Sequence, residues 1–222
     1  IMTEPIFGLF LIVAFYLFIS KRYILSSIFI GLLVLGRIEG LLFIIIFWIF
    51  YLFTKPSGKK LLMFSIPLIL PAIIWNFIGF LYTKIPLFII YGGYPTYAGK
   101  YGYGSFTYYI EGFFKLEPIL IVLLLISLPF IIRKILKKDL NISLISLSFI
   151  IFFLLQVIFW KLGLFGTAGL MRYFTGVIPL AIILVCLFIN ELLNKVYKAR
   201  IEKIILILII IVIQIGFTLL TF

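Results

Sequence analysis

The chain is a succession of apolar runs, most of them separated by short clusters of lysine or arginine, and this alternation constrains the fold more than any other feature. The runs cover roughly residues 5–20, 23–36, 38–53, 61–82, 117–132, 140–160, 174–193 and 204–221. One such run could sit in the core of a soluble protein. Eight in 222 residues cannot all find protein to bury against, because much of even a well-folded domain's surface stays in water. With 65% hydrophobic and 12% charged residues and a mean hydropathy of +1.36, the expected solvent is a lipid bilayer. The expected fold class is all-α, a polytopic transmembrane helical bundle of about eight membrane segments, forming a single domain over residues 1–222.

The net charge of +12 does not point to nucleic acid, because the basic residues form no stripe and sit between the apolar runs. They read as topology signals. Placing Lys21, Arg22, Lys55, Lys59, Lys60, the cluster from Arg133 to Lys138 and that from Lys195 to Lys203 in the cytoplasm puts 13 of the 19 basic residues inside. Glu4, Glu39, Glu111 and Glu117 then lie outside, and the expected location is a multi-pass cell-membrane protein with its site facing outward. Histidine is absent and Cys186 is the sole cysteine, so carboxylates, Tyr, Lys and Arg must carry any chemistry.

The stretch "LVLGRIEGLLFIII", residues 33–46, breaks the pattern by setting Arg37 and Glu39 inside apolar sequence. One helix over residues 23–53 would be about 46 Å long and would put Arg22 and Lys55 on opposite sides. Two short helices meeting at Gly36–Gly40 are expected instead, each about 21 Å long, with the glycines permitting the break. The tip would lie at membrane depth, where charge is tolerated against protein or a water-filled cavity, so an outward-opening pocket is expected there. The plainer alternative is a salt bridge between the two or snorkelling to the interface.

Two other stretches share the outer side. Glu4 in "MTEPIFGLF" precedes a run, with Pro5 suited to a first helical position, and an acidic residue there also serves simply as a favourable helix start. In "FGTAGLMRYFTGVIP", residues 165–179, Arg172 and Tyr173 stand at the mouth of the next run. The long connection 83–116 holds seven of thirteen tyrosines and six glycines. Its Lys100 and Tyr103 are candidate substrate-binding residues, since tyrosine rings can lie on the C–H face of a sugar, although an aromatic belt at the headgroups would draw on the same residues.

Carboxylates and arginines converging on one outer cavity suit the transfer of a group off a phosphate. A carboxylate takes the acceptor's proton while a guanidinium fork pairs with the phosphate oxygens. "TEP" before a helix, "IGLLVLGRIEGLLF" and "GTAGLMRYFTGVIP" resemble the membrane half of the GT-C glycosyltransferases, whose relatives include protein O-mannosyltransferases and lipid A aminoarabinose transferases.

The resemblance implies a hexosyltransferase, mannosyltransferase-like, that moves a sugar from a polyprenyl-phosphate (dolichyl-phosphate) donor to a protein, lipid or glycan acceptor. It implies catalytic roles for Glu4 and Glu39 and substrate-binding roles for Arg37, Arg172 and Tyr173. The family's acidic motif of the first outer loop, which usually supplies the catalytic carboxylate, would precede Ile1. The expectation is therefore an N-terminally truncated chain without its principal base, inactive alone, with Glu4 in a supporting role toward acceptor or metal. No metal ligand set is legible, and Mg²⁺ or Mn²⁺ held by outer carboxylates stays open. A transporter built on broken helices, or a subunit whose charges only lock helices together, are the competing readings.

Overall fold

The structure is a computed structural model describing residues 4–92, 102–164 and 169–196. Among these residues every regular element is helical: α1 (Glu4–Ile19), α2 (Tyr23–Gly36), α3 (Gly40–Phe53), α4 (Gly58–Thr83), α5 (Phe88–Tyr91), α6 (Tyr108–Leu116), α7 (Pro118–Leu136), α8 (Leu140–Leu162) and α9 (Ile178–Val196), with a 3₁₀ turn at Met171–Phe174 before α9.

Local chemistry sets many of the boundaries. Lysine stands in the left-handed region between α1 and α2 (Lys21, φ 60°), after α3 (Lys55, φ 53°), after α4 (Lys84, φ 58°) and between α7 and α8 (Lys138, φ 59°). Pro118 opens α7, where its missing N–H is harmless. Asp139 caps α8 by accepting from Ile142 N at 3.2 Å, and Gly163 closes it at φ 63°.

The break at Arg37–Glu39 turns the chain back on itself. The rings of Tyr23 at the start of α2 and Tyr51 near the end of α3 lie 5.0 Å apart, whereas one continuous helix would hold them about 42 Å apart. The two short helices expected from the sequence are therefore present, as a hairpin. Gly40 permits it: a Cβ there would stand 2.6 Å from Val34 N and 2.7 Å from the Leu33 carbonyl carbon.

α2 packs most extensively on α4 and α1, and α7, α8 and α9 pack on one another. Contacts of α3 with α8 and α1 with α9 join the two groups. The seam is aromatic: Phe43 of α3 meets Phe7 of α1 at 5.8 Å and Phe152 of α8 at 6.0 Å.

Three helices, α4, α7 and α8, are long and apolar enough to cross a membrane, while α1, α2, α3 and the Ile178–Asn194 part of α9 are shorter apolar helices. The outer surface is greasy along α4, where Ile66, Ile73 and Phe77 are each 59% exposed. A water-facing helix would not carry such a face, and membrane association accounts for it. The expected run 204–221 lies outside the described residues.

Candidate functional site

Four segments distant in sequence meet at one end of the bundle: the start of α1, the α2–α3 break, the last third of α8 and the 3₁₀ turn. Arg37 is the hub. Its Nη2 and Nε donate to Glu39 Oε1 at 2.7 Å and Oε2 at 3.2 Å, a two-pronged pairing, and its Nη1 donates to Glu4 Oε1 at 3.0 Å. Arg172 Nε lies 3.5 Å from the same Glu4 oxygen. Gln156 Nε2 donates to Glu39 Oε1 at 3.0 Å, and the Arg37 guanidinium sits 4.9 Å from the centre of the Tyr173 ring. Two carboxylates thus face two guanidiniums, so the formal charge of the cluster is zero.

Packing explains how these groups reach one another. Gly8 of α1 and Gly176 just before α9 come close enough that a Cβ on Gly8 would stand 3.2 Å from the Gly176 Cα. This brings Glu4 beside Arg172. Phe174, fully buried, is ringed by Tyr109, Phe113, Phe152 and Phe153 at centroid distances from 4.9 to 5.9 Å, which anchors the 3₁₀ turn to α6 and α8.

Exposure divides the cluster into an inner and an outer part. The side chains of Arg37, Glu4 and Glu39 are only 11%, 9% and 7% exposed, while that of Arg172 is 55% exposed. The tip of the break is therefore a closed polar knot with Arg172 at its rim, in place of the open pocket expected there. Arg37 has its donors committed to two carboxylates, which fits it to position them better than to hold a ligand. Beside the knot an apolar groove of about 210 Å³ runs between α1 and α2, lined by Ile6, Phe7, Phe10, Leu32, Leu35 and Gly36 among others.

Of the residues singled out from the sequence, Glu4, Arg37, Glu39, Arg172 and Tyr173 are brought together. Tyr103 stands on the surface at 65% exposure, and Lys100 lies outside the described residues. Among the described residues no three acidic, histidine or cysteine side chains gather as a metal site, and Glu4 and Glu39 are bridged by a guanidinium.

Two residues of the site were missed. Gln156 carried a signal, being an amide in the middle of the apolar text "FIIFFLLQVIFW". Tyr109 carried none among the loop's seven tyrosines. It is fully buried, and among the described residues its hydroxyl has no hydrogen-bond partner. Burial raises the pKa of that hydroxyl well above its ordinary 10.0, with smaller contributions from Tyr173, Tyr108 and Glu39. The ring of Tyr109 packs on Phe174 of the 3₁₀ turn, so the residue supports the site through packing.

Neither protein-family models nor curated proteins nor solved structures show a match to this chain, so the reading of its site rests on the chemistry of its own residues.

Proposed function

We propose that the chain is the membrane portion of a glycosyltransferase of the GT-C kind, multi-pass in the cell membrane, using a polyprenyl-phosphate-linked sugar and working on the non-cytoplasmic side. The observation that carries the reading is the meeting of Glu4, Arg37, Glu39 and Arg172, from segments up to 168 positions apart, at the bundle end away from most of the basic turns. Purely structural ion pairs inside a membrane protein are rare and expensive, which favours a functional account.

In this reading Arg172, exposed at the rim, meets the donor phosphate. Its guanidinium would balance the negative charge that grows on the phosphate as the bond from the anomeric carbon to the phosphate oxygen breaks. The acceptor oxygen bonds to that carbon, its proton passes to a carboxylate, and the bonding pair leaves with the phosphate. Contacts to Glu4 run through Oε1, which leaves Oε2 to accept a hydrogen bond from the acceptor hydroxyl and hold it in place. Arg37 and Gln156 hold Glu39 and Glu4 in place. The groove between α1 and α2 offers an apolar bed for part of the donor's hydrocarbon chain. Inversion at the anomeric carbon is what the resemblance implies.

The test is transfer of labelled sugar from polyprenyl phosphate in membranes carrying the full-length protein. Arg172→Ala and Glu4→Gln should each abolish most transfer while the protein still folds. Loss of folding in both with no transfer by the native protein would favour the helix-locking reading, and uptake of a solute without transfer would favour the transporter.

A further inference from the structure

A second group of basic side chains gathers at the opposite end of the bundle, where the turn from α1 to α2 faces the turn from α3 to α4. A cavity of about 660 Å³ opens there, within the range of small-molecule sites. Lys21, Arg22, Lys55 and Lys60 line it, no carboxylate does, and among the described residues none of the four makes an ion pair. Four like charges around one hollow repel one another, and a bound anion relieves that repulsion.

Lys21 and Lys55 close the two turns with φ values of 60° and 53°, the left-handed conformation that Lys84 and Lys138 also adopt at other turns. Neither Arg22 before α2 nor Ser57 before α4 caps its helix through its side chain, so the two helix starts beside the cavity remain open to an anion. One wall is apolar: Ile24, Leu25 and Met63 line the cavity and are each 41–46% exposed on the bundle's outer surface.

We propose that this cavity binds the phosphate of an anionic phospholipid, with the cations on the headgroup and the exposed apolar wall along the first part of its acyl chains. Basic pockets between helices are the expected receptors for such headgroups. The shared chemistry is a phosphate oxyanion, and the presence of an apolar wall favours the lipid over a free ion.

The experiment uses the purified protein in nanodiscs of phosphatidylcholine with a minor share of phosphatidylglycerol, followed by native mass spectrometry of the lipid that survives detergent. Phosphatidylglycerol should be retained well above its share. Lys21→Asn with Lys55→Asn keeps the backbone preference and removes two charges, and should lower that retention by about tenfold or more. Ser57→Trp keeps every charge and fills the cavity, and should lower it as well. Displacement of the lipid by millimolar inorganic phosphate alone would support the oxyanion site while assigning it a soluble occupant. Equal retention of the two lipids, or the same loss when Arg133, Lys137 and Lys138 are changed to Gln instead, would overturn the proposal.

Discussion

Gln156 donates a hydrogen bond to Glu39 across 117 positions of sequence, at 3.0 Å and in a fully buried setting. The bond ties the middle of an apolar helix to the break between two others, so it links the candidate site to the packing of α8. Gln156→Leu should destabilise the protein by about 1–3 kcal/mol, since a buried carboxylate oxygen loses a donor. Thermal unfolding in detergent checks this. In the double variant with Glu39→Gln the two losses should fall short of adding, as expected of directly bonded partners.

Arg37 and Arg172 should separate cleanly in mutagenesis. Removing Arg37 leaves two buried carboxylates facing each other, so Arg37→Ala should cost about 3–5 kcal/mol of stability. Arg37→Lys should recover only part, because an ammonium cannot pair with Glu39 through two prongs. Arg172 is half exposed, and Arg172→Ala should cost no more than about 1 kcal/mol. Its transfer activity should nevertheless fall about 10²-fold or more. A melting profile and a transfer assay on the same preparations decide between the roles, and an Arg172→Ala variant that keeps full transfer would remove it from the site.

Gly40→Ala should be disproportionately harmful for a single methyl group. The added carbon would press on backbone atoms of Leu33 and Val34, which cannot swing aside as a flexible side chain would. A loss of about 1–3 kcal/mol is expected from overpacking. Gly36→Ala, where a Cβ would meet nothing within 4 Å, is the matched control. Similar losses for both would mean that the hairpin's close approach is not what Gly40 serves.

Tyr109 should resist ionisation. Its pKa is raised in the folded protein, so the folded state favours the neutral hydroxyl; that contribution to stability is fully present below the unfolded value near 10.0 and is lost as pH rises above it. Alkaline titration followed by tyrosinate absorbance should show Tyr109 ionising only with unfolding, so that Tyr109→Phe lowers the amplitude of the unfolding-linked step by one tyrosine. Because the hydroxyl lacks a partner among the described residues, Tyr109→Phe should leave the melting temperature unchanged or higher. A marked drop in melting temperature would point to a partner.

The sequence by itself determined the long apolar helices among the described residues and the place where one apolar stretch must fold back, whereas α5 and α6 lie inside the connection 83–116, which reads as a loop from the sequence alone. Runs of apolar side chains and the glycines flanking Arg37 and Glu39 are local features, and local features set where a helix starts, stops or breaks. The short α2 and α3 follow from them. Only the tertiary structure decided which charges meet and how open they are. Arg37 reaches Glu4 over 33 positions and Glu39 reaches Gln156 over 117, because Gly8, Gly40, Gly176 and a set of phenylalanine rings let particular helices approach. Such contacts depend on packing between distant surfaces, which hydrophobic periodicity does not encode. For the same reason Tyr103 and Tyr109, alike in the sequence of one loop, end respectively on the surface and in the core.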